Sequence, residues 1–219
     1  MDVYHIGVDK MPKGSKELTE ARKNEIITAC AELYKTMSFK EITLKEIGNA
    51  TSFTRTSIYN YFQTKEEIFL ALLQREYKLW IERLRQIQAE HKKMTSIEFA
   101  DALAHSLEER HNLLKILSMN HYDMEENSRI ERLTDFKVVY GQTLSEVRNC
   151  LDKFFPEMQV HDREDFLYSF FPFMFGIYPY AVVTEKQKKA MEQAGVNYEY
   201  RSIYEITYTE VKKLLSKIN

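Results

Sequence analysis

The chain has 219 residues, a hydrophobic share of 44% and a formal charge of −2, which is enough apolar material for one or two domains sharing a core and too little chain for three. Six glycines and four prolines supply too few breakers and turns for a many-stranded β fold and point to an all-α chain of long helices. Two cysteines, Cys30 and Cys150, lie far apart and outside any C-x-x-C, which excludes a disulfide framework and a zinc spacing and suits a reducing cytoplasm. The opening "MDVYHIGVDKMPKGSKE" mixes charges early and never reaches an apolar run, so residues 1–15 read as a flexible tail with no signal peptide.

From residue 18 to residue 37 apolar side chains recur at Ile26, Ala29, Cys30, Leu33 and Met37, the rhythm of a helix with one buried face. "SFKEI" interrupts it, and Thr43-Leu44-Lys45-Glu46 reads as a capping box opening a short second helix over about 44–50. Thr54 is placed to cap a third short helix ending near Phe62. Thr64-Lys65-Glu66-Glu67 is a further box opening a long fourth helix, whose stripe Ile68, Leu72, Leu73, Tyr77, Trp80, Leu84 and Ile87 runs to about Glu90. The helical pattern continues over 97–107, 113–119, 125–154, 165–183, 185–194 and 202–218. Residues 1–65 carry +2 and the remainder −4, a positive end on a negative body that permits DNA as a partner.

The third helix divides on a helical wheel. Ser57, Ile58, Tyr61 and Phe62 fall on one side, and Arg55, Thr56, Tyr59 and Asn60 on the other. A helix this short has no stability of its own, so Ile58 and Phe62 are expected to anchor it on Phe53, Ile47 and the first helix. The opposite side offers a guanidinium, a hydroxyl, a phenol and an amide, the donors and acceptors that read base edges and phosphates in a major groove. Two short helices joined by a tight turn, the second with an exposed polar face, form a helix-turn-helix.

Over about residues 18–75, Ile42-Thr43-Leu44-Lys45-Glu46-Ile47-Gly48, Phe53-Thr54-Arg55-Thr56-Ser57-Ile58-Tyr59-Asn60-Tyr61-Phe62 and Thr64-Lys65-Glu66-Glu67-Ile68 resemble the signature of the TetR family of bacterial transcriptional regulators. The resemblance implies a homodimer on a palindromic double-stranded DNA operator, with a larger helical domain that dimerises and usually binds a small molecule. It implies a helix-turn-helix domain over 16–64 and a helical regulatory and dimerisation domain over 65–219. Carried over by position, Arg55, Thr56, Tyr59 and Asn60 would face the groove with Ser57 beside them, while Thr43 and Lys65 would hold phosphates at helix starts. Plainer readings stand beside these: Tyr59 packed sideways on Arg55, and Lys65 paired with a nearby carboxylate. Two positions depart from the family pattern, Ser52 where Gly is common and Gly48 where Ala is usual, so Ser52 is expected to hold a less favourable backbone conformation.

"FLYSFFPFMFGIYPYAVV" runs 18 residues without a charge, the threshold length for a membrane span. Two prolines, a glycine, a serine and three tyrosines argue instead for a buried helix, kinked at Pro172 and Pro179. The resemblance makes the segment from Phe166 to Val183, with the final helix from Ser202 to Ile218, the dimer interface; packing inside one subunit is the alternative. Glu108-Glu109-Arg110-His111 holds one E-x-x-H without a second copy, and no Walker loop, G-x-S-x-G or G-x-G-x-x-G occurs, so no metal, cofactor or enzyme activity is expected. A ligand pocket among the middle helices would draw on Leu103, His105, His121, Tyr122, Phe136, Tyr140, Phe170, Met174 and Tyr178, a surface suited to a small hydrophobic or aromatic effector; simple core is the plainer reading. Taken together the sequence reads as a cytoplasmic DNA-binding regulator, a repressor released by such an effector. The alternative is a regulator of the same kind controlled by a partner protein or without any ligand.

Overall fold

The computed structural model describes residues 13–216, and these are helical without a strand. The elements are α1 (Lys13–Thr36), α2 (Leu44–Asn49), α3 (Arg55–Ile58), α4 (Lys65–Glu90), α5 (Ser96–Glu108), α6 (His111–Glu126), α7 (Ile130–Phe154), α8 (Val160–Ala181), α9 (Glu185–Gln193) and α10 (Ile203–Leu215). The first helix starts at Lys13, so residues 13–15 of the expected tail are helical, and residues 1–12 lie outside the described residues, as does Ile218. The α6–α7 break falls at 127–129, later than the sequence pattern suggests, because the backbone N–H and the side-chain amide of Asn127 both close on the Asp123 carbonyl.

The chain is built around α4. Its predicted stripe is buried from Ile68 to Ile87, and α1, α5, α6 and α7 pack against it, while α10 lies on α5 and α8. Trp80 stands at the centre, with its indole N–H donating to the Ser106 hydroxyl at 2.9 Å and Phe170 and Phe171 within 6.5 Å and 6.2 Å of its ring. A buried indole with its one donor satisfied contributes its full apolar surface at no polar cost. Thr95, Thr184 and Ser202 open α5, α9 and α10 with reciprocal capping boxes.

The uncharged run in α8 is core: Phe166, Leu167, Phe170, Phe171, Met174 and Ile177 are buried. The helix continues through Pro172 and Pro179. Both prolines lie on the exposed side, where water can take the carbonyls their missing N–H leaves free. The chain turns after Ala181, where α8 and α9 meet at 80°. Among the described residues no single helix is long and apolar enough to cross a membrane; α8 and α9 pass that test only as a bent pair.

Candidate nucleic-acid interface

The reading unit begins at Thr43, whose hydroxyl accepts the N–H of Lys45 and of Glu46 and caps α2. The reciprocal half of the expected box is missing, because the Glu46 carboxylate takes the Thr43 hydroxyl instead of its backbone N–H. Gly48 lies where α2 meets the start of α3: an added Cβ would stand 3.3 Å from the Arg55 nitrogen and 3.5 Å from the Phe53 oxygen. The turn itself needs no glycine. No described residue other than Gly195 has positive φ, so Ser52 is not in the unfavourable conformation expected of it. Its N–H donates to Glu25 of α1 at 2.8 Å, a bond that also holds the Glu25 carboxyl below its usual range.

Thr54 caps α3 by accepting the Ser57 N–H, and the division seen on the wheel is the one the fold adopts. Ile58 and Phe62 are buried, at 0% and 2% exposure, while Arg55, Thr56, Tyr59 and Asn60 are exposed. Arg55 Nη2 donates to the Tyr59 hydroxyl at 3.1 Å, and the guanidinium carbon lies 5.8 Å from the ring centroid. The sideways packing is therefore the arrangement of the free chain, and it leaves four of the five guanidinium N–H groups for other acceptors. Ser57 is half-buried with its hydroxyl 3.0 Å from that of Thr54, a capping role.

Lys65 is tied into the domain. Its ammonium donates to the carbonyls of Phe39 at 2.7 Å and Ile42 at 3.2 Å and sits 4.2 Å from the Phe39 ring centroid, so one N–H remains for a phosphate. The ammonium thus staples the α1–α2 connection to the start of α4, which also relieves the poor placing of a cation at a helix N-terminus.

Several positioning residues carry no local signal in the sequence. Arg22 of α1 donates to the Tyr61 hydroxyl at 3.1 Å. Arg132 of α7 donates to the Tyr61 carbonyl at 3.1 Å and covers the Phe62 ring at 5.8 Å. Thr64 caps α4 and donates its hydroxyl to the Asn127 carbonyl at 3.1 Å. Glu67 does not return to Thr64 as a capping box requires. It accepts the Gln63 N–H at 2.9 Å and the Arg129 guanidinium at 2.6 Å and 2.9 Å. Burial by itself would raise the Glu67 pKa, but the Arg129 and backbone hydrogen bonds outweigh it and leave the carboxyl below its ordinary value.

The nine residues considered for a ligand pocket do not converge on one space. Leu103, Phe136, Phe170 and Met174 are buried core, and Tyr140 and Tyr178 are half-buried against it. His105 is exposed and lies on the Tyr204 ring at 4.5 Å, and Tyr122 is 84% exposed. His121 is half-buried between Glu125, 3.3 Å away, and the Phe175 ring at 5.1 Å. Aromatic content alone does not tell a helix's inner face from its outer one, which is why neighbours on α6 point to different surroundings.

An all-helical chain that presents a short polar-faced helix from a helix-turn-helix, in front of a larger helical body, defines a DNA-binding transcriptional regulator. The model for bacterial regulatory proteins of the tetR family matches residues 26–72, and that for the tetracyclin repressor-like C-terminal domain matches residues 74–199. The chain belongs to the TetR family. It is 32% identical over 63 residues to the uncharacterized HTH-type transcriptional regulator YfiR of Bacillus subtilis, a match covering 29% of this chain and 31% of that protein. The fold is similar to that of the FadR regulator of Bacillus subtilis in complex with stearoyl-CoA, with a TM-score of 0.58 and 16% identity over 89% of this chain and 98% of that one. It is also similar to Thermus thermophilus FadR, a repressor in complex with lauroyl-CoA, with a TM-score of 0.54 and 18% identity over 88% and 93% of the two chains.

Proposed function

We propose that this chain acts as a homodimeric repressor that lays α3 into successive major grooves of a palindromic operator. The observation that carries the reading is the exposed set Arg55, Thr56, Tyr59 and Asn60 on a helix whose other side is anchored by Ile58 and Phe62. Arg55 and Asn60 have the geometry for bidentate reading of guanine and adenine edges. Thr43, Tyr59 and the last N–H of Lys65 serve phosphates and fix register. Pairing of two chains through α8 and α10 would set the recognition helices about 34–36 Å apart, or a multiple of that. The exposed Tyr168 and Tyr180 on α8 give that helix aromatic surface to bury.

The effector in this reading is a small hydrophobic or aromatic molecule, and an acyl-CoA is the first to try, because two proteins of this fold were solved with one. A second reading, a regulator without a small-molecule ligand, is favoured by the burial of Leu103, Phe136, Phe170 and Met174 in packed core. Fluorescence anisotropy on DNA from upstream of the chain's own gene tests the first. Binding should be sequence-selective and fall steeply with salt, and Arg55→Ala with Asn60→Ala should reduce it to the level of an unrelated fragment. Equal binding of both fragments by the unaltered chain would refute the assignment. Release of the DNA by lauroyl-CoA or stearoyl-CoA would favour the first reading of the effector over the second.

A further inference from the structure

Between α1, α4 and α7 lies a cleft of about 310 Å³ at the junction of the reading unit and the body. Its floor is apolar, formed by the buried Ile27, Phe62 and Leu70, and its walls are charged. Most of that charge is spent: Lys23 pairs with Glu20 at 2.7 Å, Arg132 approaches Asp135 at 4.0 Å, and Glu67 is held by Arg129. Two cations in the lining, Arg75 and Lys78, stand in no ion pair within 4 Å among the described residues, although Arg75 donates to the Thr28 hydroxyl at 2.9 Å and its charge acts at longer range on the carboxyl of Glu76. They are three apart on α4, hence neighbours on one face. Like charges at that spacing repel and cost helix stability, in a part of the chain whose net charge is negative.

We propose that this cleft binds a small amphiphilic anion, a carboxylate or phosphate ester on a short apolar body, with its head between Arg75 and Lys78 and its body against Ile27, Phe62 and Leu70. The volume is that of about ten water molecules, room for a compact arylalkyl acid. Such a ligand touches α1 and the end of the recognition unit on one side and α7 on the other, so its occupancy and operator binding are linked in both directions.

The test is direct binding to the whole chain without DNA, by calorimetry at millimolar concentrations of 4-phenylbutyrate and phenyl phosphate, with 4-phenylbutanol and 4-phenylbutylamine as neutral and cationic controls. One or both anions should bind once per chain, at least about tenfold more tightly than the controls, as charge-assisted recognition requires. Arg75→Gln with Lys78→Gln should weaken anion binding at least about tenfold. Lys78→Gln alone, at an exposed position where folding is not at stake, should weaken it measurably, and Lys45→Gln on α2 should leave it unchanged. No anion binding at these concentrations, equal binding of the alcohol, or full affinity in the double variant would overturn the proposal. If the double variant loses operator affinity while the unaltered chain binds no anion, the two cations serve the DNA backbone and the site does not exist.

Discussion

The residue that matters most beyond the DNA face is Glu67, because its environment is asymmetric. Its side chain is fully buried while that of Arg129 is 39% exposed. Removing the acid leaves a guanidinium that water can reach, whereas removing the guanidinium leaves a carboxylate in the interior with only backbone donors. Arg129→Met should therefore cost about 2–4 kcal/mol, and Glu67→Gln clearly less; chemical denaturation of the two variants checks the order. The acid limb of stability follows from the same pair. A carboxyl whose folded pKa is depressed contributes stability that is present above its unfolded value, about 4.3, and is lost as pH falls through the folded one. The loss of melting temperature below about pH 4 should thus be shallower in Glu67→Gln than in the unaltered chain. An identical acid limb in both would show that Glu67 titrates as a free carboxyl.

At the scale of elements, α3 survives only because other elements hold it. Four helical residues fall far short of independent stability, and burying Ile58 and Phe62 supplies roughly 1.5–3 kcal/mol each. Phe62→Ala should cost about 3–5 kcal/mol and abolish operator binding. Gly48→Val tests the approach of α2 to α3. The Cβ alone would lie 3.3 Å from the Arg55 nitrogen, closer than ordinary contact and against backbone that must shift, and a branched side chain adds bulk there, so circular dichroism should show a lowered melting point and anisotropy a loss of DNA affinity. Much at this scale was legible in the sequence: the buried stripe of α4, the Thr54 cap and the two-sidedness of α3 are local patterns of period and hydrogen bonding. Illegible were the contacts that span 39 to 71 residues, from Arg22 and Arg132 to Tyr61 and from Arg129 to Glu67. A glutamate three residues after a threonine looks like a capping box whether its carboxylate turns back to the cap or outward to a distant arginine. The surroundings of the residues considered for a ligand were illegible for a related reason, since period separates the faces of one helix but does not say which faces of different helices meet.

In the whole molecule those distant contacts share an origin. Asn127, Arg129 and Arg132 all belong to the corner between α6 and α7, and their partners Thr64, Glu67 and Tyr61 bracket the end of the recognition unit and the start of α4. The body thus grips the reading unit from one corner, and any change that moves this corner bears directly on α3 and not only through bending of α4. A grip of this kind has a local signature, because it limits opening of residues 55–62 without contributing to the packing of α8 and α10. With Arg129→Gln and Arg132→Gln combined, hydrogen exchange of amides in 58–62 should quicken by at least about tenfold, the equivalent of losing one charged hydrogen bond. Exchange in α8 and α10 should stay as it was. Unchanged protection at 58–62 would mean that Ile58 and Phe62 suffice to hold α3, and that motion of the body reaches the DNA face through α4 alone.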